Sequence, residues 1–167
     1  DEPCMLAFLY DDDGNGAWRL SELESDAGGW LPHPASALDR MAGNLESWLS
    51  EPQLFGILQR MMPDSWRGAA FFSEAWLVEQ KKNSPDEKPD PVFMAMARAR
   101  MLSEHPSREE SRCWWAVLRD GTSITVALRR STGEVMSDAF PHDEEGVHGL
   151  IPESVAKIVA LLVKKIN

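Results

Sequence analysis

Residues 112–140 read RCWWAVLRDGTSITVALRRSTGEVMSDAF, and their pattern decides the fold class. Two glycine-containing turn signals, DG and TG, divide this stretch into three short apolar segments. In the middle segment Ile124, Val126 and Leu128 alternate with smaller or polar residues, which predicts a strand with one buried and one solvent-exposed face. We therefore expect an antiparallel meander with strands at 112–118, 123–130 and 134–140.

Helical periodicity surrounds this meander. Apolar residues recur every three or four positions in 34–50 and in 52–62, which predicts two consecutive helices. Pro91 can open a third helix that runs to residue 102. From Pro152 onward the apolar residues form one stripe, with lysines near the end of the segment, and this pattern predicts an amphipathic fourth helix.

These segments predict one α+β domain over residues 1–167. Residues 68–80, GAAFFSEAWLVEQ, are dense in aromatic and small apolar residues and predict a further strand. The expected architecture is an antiparallel sheet of about four strands packed against helices. The polar, proline-bearing segment 80–91 predicts a surface loop.

Composition restricts the possible partners. The chain has 27 acidic and 17 basic residues, a net charge of −10, and residues 1–26 hold eight acidic residues against one arginine. Binding to duplex nucleic acid requires a basic surface, so we expect no such activity. The longest apolar run, 4–10, is too short to span a membrane, and we expect a cytoplasmic protein whose Cys4 and Cys113 are free buried thiols rather than one disulfide.

Residues 11–22, DDDGNGAWRLSE, resemble the calcium loop of the EF-hand family. The resemblance implies a bound Ca²⁺, because this ion takes six to eight hard oxygen ligands on a flexible loop. It assigns the ligands to Asp11, Asp13, Asn15, the backbone carbonyl of Ala17, and Glu22. The chain departs from the family at Trp18 and Arg19, and it contains no second loop of this kind.

A β-hairpin is the alternative interpretation of the same residues. A DDDGNG cluster between two apolar runs is typical of a tight turn even without a metal ion. The two interpretations differ in their flanking elements, which are helices around a calcium loop and paired strands around a hairpin turn.

Three other places could carry acid–base chemistry. Glu74 interrupts the apolar strand FFSEAWLV, and a carboxylate there lies on the solvent face or is buried with a partner such as an arginine. His105 lies among glutamates, and His142 and His148 lie in an acidic loop. No catalytic motif of known spacing is present, so we assign no catalytic residue and no cofactor.

Residues 68–130 resemble small proteins of actinobacteria and their phages. The resemblance rests on the pattern EAW at 74–76, followed by a polar insertion and by EHPSRE at 104–109 leading into a strand. It implies a bacterial or phage accessory protein, and it implies no activity and no catalytic residue.

We therefore expect a small acidic interaction protein, an accessory factor or inhibitor that binds another protein with a basic surface. The acidic N-terminal segment with its tryptophan predicts Asp12, Trp18 and Glu24 as contact residues. A calcium-binding module built on 11–22 is one alternative, and an enzyme with an unfamiliar acid–base site is the other. The interaction hypothesis predicts an exposed apolar or aromatic patch beside the acidic N-terminal segment.

Overall fold

The computed structural model describes residues 4–11, 14, 19–22, 34–78, 91–98, 101, 104–141 and 149–166. The segment expected to form a polar surface loop, 80–91, therefore lies outside the described residues except for its last position. The described elements form one α+β unit, as the sequence predicts, but the sheet is wider than the expected four strands. It has six strands because the hairpin near the N-terminus adds two strands beside the predicted four.

The elements follow one another in the predicted order. They are β1 (Met5–Tyr10), β2 (Arg19–Glu22), α1 (Pro34–Ser50), α2 (Pro52–Met61), β3 (Trp66–Leu77), α3 (Pro91–Arg98), β4 (Glu109–Leu118), β5 (Ser123–Arg129), β6 (Val135–Phe140) and α4 (Leu150–Ile166). The strand order in the sheet is β2-β1-β3-β4-β5-β6, and every neighbouring pair is antiparallel. β3 and β4 are thus the two central strands.

The helices cover one face of the sheet. α4 contacts α1 as well as β3 and β4, so these elements enclose the main core. Side chains alternate along each strand, and those on the helix-facing side are among the most buried in the chain. They include Leu6, Phe8, Ala69, Phe71, Cys113, Trp115 and Val117, all within one hydrophobic cluster with Leu38, Val155 and Leu162 of the helices.

The alternation in β5 is confirmed, but the helices cover the other side of the strand. Ala127 is only 3% exposed and belongs to the core beneath the helices. Ile124, Val126 and Leu128 lie on the opposite face and are half-buried. A period of two shows that a strand has two different faces, and it does not show which one the helices will cover.

The two cysteines are free thiols, as predicted. Cys113 is fully buried, whereas Cys4 is half-buried and its sulfur lies 3.4 Å from Ser73 Oγ. Burial raises the pKa of the Cys113 thiol from 9.0 to about 12, because the thiolate would have to form without water.

The raised pKa predicts a loss of stability in alkali. The Cys113 thiol ionises above pH 9 in the unfolded chain, whereas in the folded chain it keeps its proton until about pH 12. The folded state is therefore destabilised relative to the unfolded state as the pH rises from 9 to 12, and it is unaffected by ionisation of this thiol below pH 9. Over that window the free energy of unfolding should fall by about 1.4 kcal/mol per pH unit from this group. Urea titrations from pH 8 upward should show this slope in wild type and in Cys4→Ala, but not in Cys113→Ala; equal slopes in all three proteins would contradict it.

Gly68 allows β3 and β4 to approach closely. A Cβ at this position would lie 2.1 Å from the carbonyl oxygen of Val117 on β4, a distance that no packed structure permits. The exposed Gly43 in the middle of α1 is the opposite case, because a Cβ there meets no atom within 4 Å.

The two glycines should therefore respond in opposite directions to alanine. Gly68→Ala should lower the free energy of unfolding by about 1–3 kcal/mol, since the two central strands must move apart. Gly43→Ala should raise it by about 0.5–1 kcal/mol, because alanine loses less entropy in a helix. Urea denaturation checks both values, and a neutral Gly68→Ala would show that the strands do not meet as described.

Candidate functional site

The tight junction of α1 and α2 forms a corner on the protein surface. Glu51 is the only residue between the two helices, and its extended backbone (φ −84°, ψ 115°) turns the chain. Its N–H donates to the carbonyl of Trp48 at 3.1 Å, and its carbonyl accepts from the N–H of Phe55 at 2.9 Å. Pro52 begins α2, where its fixed φ suits the first helical turn.

The inner sides of both helices face the core. The buried residues of α1 are Leu38, Ala42, Leu45 and Leu49, which recur at helical spacing. On α2 the side chains of Phe55, Leu58 and Met61 pack against the core without being fully buried. The ammonium group of Lys165 lies 5.6 Å from the centre of the Phe55 ring and ties α4 to this side of α2.

Three large apolar side chains at this corner are exposed to solvent. Trp48, Leu54 and Ile57 are 40%, 41% and 46% exposed, although aliphatic and aromatic side chains of this size are usually buried. We call these three residues the apolar corner. Complete burial against a partner would gain roughly 1 kcal/mol or more for each of them, since part of their surface is already covered.

Exposed carboxylates accompany the apolar corner. Glu46 lies two residues before Trp48, and Glu51 lies between Trp48 and Leu54. Neither glutamate forms an ion pair with another residue in the part of the chain that the structure describes. The corner therefore combines an exposed indole, aliphatic side chains and negative charge. The patch expected beside the acidic N-terminal segment stays a prediction, because most of residues 1–26 lie outside the described part of the chain.

The sequence pattern did not predict this exposure. The segment PQLFGILQRM of α2 carries apolar residues at 54, 55, 57, 58 and 61, which fall on one broad helical face and predict packing against a core. In the structure α2 contains no fully buried residue, so part of this face is open to solvent.

The loop with EF-hand spacing connects paired strands. β1 and β2 are antiparallel neighbours, with Tyr10 opposite Arg19 and Ala7 opposite Glu22, so the hairpin interpretation is confirmed and the flanking helices of an EF-hand are absent. Asp11 Oδ2 lies 3.7 Å from Arg67 Nε, which places a cation beside the first expected ligand. The other expected ligands, Asp13, Asn15 and Ala17, lie outside the described residues, as does the side chain of Glu22, and calcium coordination stays a prediction.

The expected partner contacts Asp12, Trp18 and Glu24 also lie outside the described residues. Among the residues that the structure does describe, no group of three or more His, Cys, Asp or Glu side chains is arranged to hold a metal ion. Among the described residues, the exposed large apolar residue nearest to these positions in sequence is Leu20 of β2, whose side chain is 48% exposed.

Glu74 is partnered by arginine rather than by histidine. The carboxylate of Glu74 is 20% exposed and lies 3.2 Å from the guanidinium of Arg130. Arg130 also lies 3.1 Å from the carboxylate of Glu110, and Arg112 on β4 is directly opposite Glu74 in the sheet. The other acid–base candidate, His105, accepts a hydrogen bond at Nδ1 from the N–H of Ser107 in its own turn. No contact among the described residues joins Glu74 to His105, and both His142 and His148 lie outside them.

The described tryptophans are divided between core and surface. Trp66 and Trp115 are buried, Trp114 is half-buried against Phe72, and Trp48 and Trp76 are exposed. Trp76 differs from Trp48 in having a cation over its ring, because the guanidinium of Arg108 lies 5.2 Å from the ring centre.

Comparison with protein-family models, with curated proteins and with solved structures finds no match for this chain. Within the described residues, no helix has the length and hydrophobicity that crossing a membrane would require.

The orientation of α2 predicts unequal effects at two neighbouring positions. Leu54→Gln should change the free energy of unfolding by less than about 1 kcal/mol, because its side chain is already 41% exposed. Phe55→Ala should lower it by about 2 kcal/mol or more, because that ring packs against the core and Lys165. Urea denaturation of the two variants measures both effects, and similar losses would mean that α2 is rotated about its axis.

Proposed function

We propose that this protein is a small acidic interaction protein, without catalytic activity of its own, that binds another protein through the apolar corner. The exposure of Trp48, Leu54 and Ile57 supports this proposal. Tryptophan and large aliphatic side chains supply most of the binding energy in protein interfaces when they enter a pocket of the partner. The corner offers three such side chains on a rigid helix junction, so little entropy is lost on binding.

The charge of the chain indicates the chemistry of the partner. The protein carries a net charge of −10, and Glu46 and Glu51 flank the exposed indole. A partner with an apolar groove rimmed by lysine or arginine would match both features, and the electrostatic attraction would increase the association rate. We keep Asp12, Trp18 and Glu24 as predicted additional contacts for such a basic surface.

We also propose a cellular setting, which is the one that the resemblance of residues 68–130 to small actinobacterial and phage proteins implies. An accessory factor or inhibitor in the cytoplasm of a bacterium, encoded by the cell or by a phage, fits an acidic interaction protein. The proposal is independent of calcium, because the apolar corner lies on helices and not on the hairpin loop.

Site-specific crosslinking followed by affinity measurement tests the proposed surface. A benzophenone amino acid placed at position 57 should capture one partner, and the same group at position 135, where Val135 is 64% exposed on β6, should not capture it. The partner is then purified and its affinity is measured by calorimetry. The double variant Leu54→Gln with Ile57→Gln should weaken binding by about tenfold or more, because two buried anchors are lost.

Val135→Gln is the control, since it removes an even more exposed apolar side chain from the β6 edge of the sheet. It should leave the affinity unchanged. Raising the salt concentration should weaken binding of the wild type, because screening reduces the attraction between acidic and basic surfaces. Equal affinity of the corner variant and the wild type, or equal capture at both positions, would overturn the proposed surface.

A further inference from the structure

A groove lies between α4 and the turn that joins β4 to β5. Its residue Lys164 also lines a smaller neighbouring pocket with Glu46 and Ser50 of α1. The volume of the groove is about 540 Å³, and its two walls are the turn residues 118–121 and one side of α4. This volume falls in the range of small-molecule sites, about 300–1,000 Å³.

The floor of the groove is apolar. The floor and walls are lined by Val117, Ala156, Val159, Ala160 and Val163. Val117 and Val159 are buried and close the bottom, while Ala160 is exposed and its small side chain leaves the space open. Such a surface can bind an alkyl chain, but it offers few groups that could recognise a sugar or a nucleotide base.

The rim of the groove is cationic. Lys157 and Lys164 are seven residues apart on α4, so they project from the same side of the helix about 10 Å from each other. Arg119 on the facing turn also lines the groove, and its guanidinium lies 5.5 Å from the centre of the Trp66 ring. Asp120 is the one carboxylate of the rim. Its Oδ1 accepts a hydrogen bond from the N–H of Thr122 at 2.9 Å, which directs the carboxylate towards its own turn.

This local charge is opposite to that of the whole protein. Three cations and one carboxylate line the groove, in a chain whose net charge is −10. Neither lysine forms an ion pair with another described residue, so both ammonium groups are accessible to a ligand. An anion is therefore attracted to this groove even though the rest of the surface repels it.

We propose that the groove binds an apolar monocarboxylate, such as a medium-chain fatty acid anion. The alkyl chain lies on the floor between the two lysines, and the carboxylate accepts hydrogen bonds from Lys164 or Lys157 and from Arg119. Charge-assisted hydrogen bonds of this kind are stronger than neutral ones, and they orient the ligand in the groove. This site is independent of the apolar corner and does not require the proposed protein partner.

Calorimetry with decanoate, below its critical micelle concentration, tests the proposal on the intact protein. We expect saturable binding of one decanoate per chain, and at least about tenfold weaker binding of decanol, which has the same chain without the charge. Lys157→Gln together with Lys164→Gln should also weaken decanoate binding by about tenfold. Ala160→Leu should abolish it by filling the groove.

Lys165→Gln is the matched control, because Lys165 is adjacent to Lys164 in sequence but contacts Phe55 outside this groove. It should leave the affinity within about twofold of wild type, since screening weakens charges that do not touch the ligand. The proposal is overturned if decanoate does not bind saturably, if decanol binds equally well, or if Lys165→Gln has the same effect as the double variant Lys157→Gln with Lys164→Gln. Binding of acidic amphipathic peptides in place of decanoate would also overturn it and would assign the groove to a protein partner.

Discussion

The close pairing of β3 with β4 is the interaction on which the rest of the structure depends. Phe71 and Trp115 face each other across these strands on the helix-covered side, and both are buried. Gly68 lets the two strands approach each other near the start of β3, where a side chain would clash with the backbone of Val117 on β4. Because α4 packs on these two strands, their spacing determines where α4 and, through it, α1 can lie.

The position of α4 explains both candidate surfaces. One side of α4 packs on the central strands and on α1, which leaves Lys157 and Lys164 on the side that faces the β4–β5 turn. Lys165, the next residue, points instead towards Phe55 and supports the inner side of α2. The groove and the apolar corner therefore use different residues of the same helical layer, and Lys164 at one end of the groove lines a second pocket with Glu46 and Ser50 of α1.

The opposite face of the sheet has a different character. Ala7 and Ala70 are buried there near β1, whereas the side chains nearer the β6 edge are half-buried or exposed. Glu74 and Arg130 place an ion pair on this face at the end of β3. Partly exposed pairs of this kind contribute little to stability, so strand pairing rather than charge holds this region together.

The sequence by itself determined the elements of this fold. Turn signals and a period of two located the meander, and apolar spacing located α1, α2 and α4 to within a few residues, because these patterns depend only on neighbouring positions. The loop at 11–22 was the exception, since turn residues and calcium ligands are the same residue types. Only the observed pairing of β1 with β2 decided in favour of a hairpin.

Tertiary structure alone decided which surfaces are available for binding. The apolar residues of α2 could all have been core, but only Phe55, Leu58 and Met61 pack against it, while Leu54 and Ile57 stay exposed. The cationic groove unites residues about 40 positions apart, from Arg119 to Lys157, which no local pattern connects. Exposure and charge at a site depend on how distant segments pack, and packing depends on contacts across the whole chain rather than on the order of neighbouring residues.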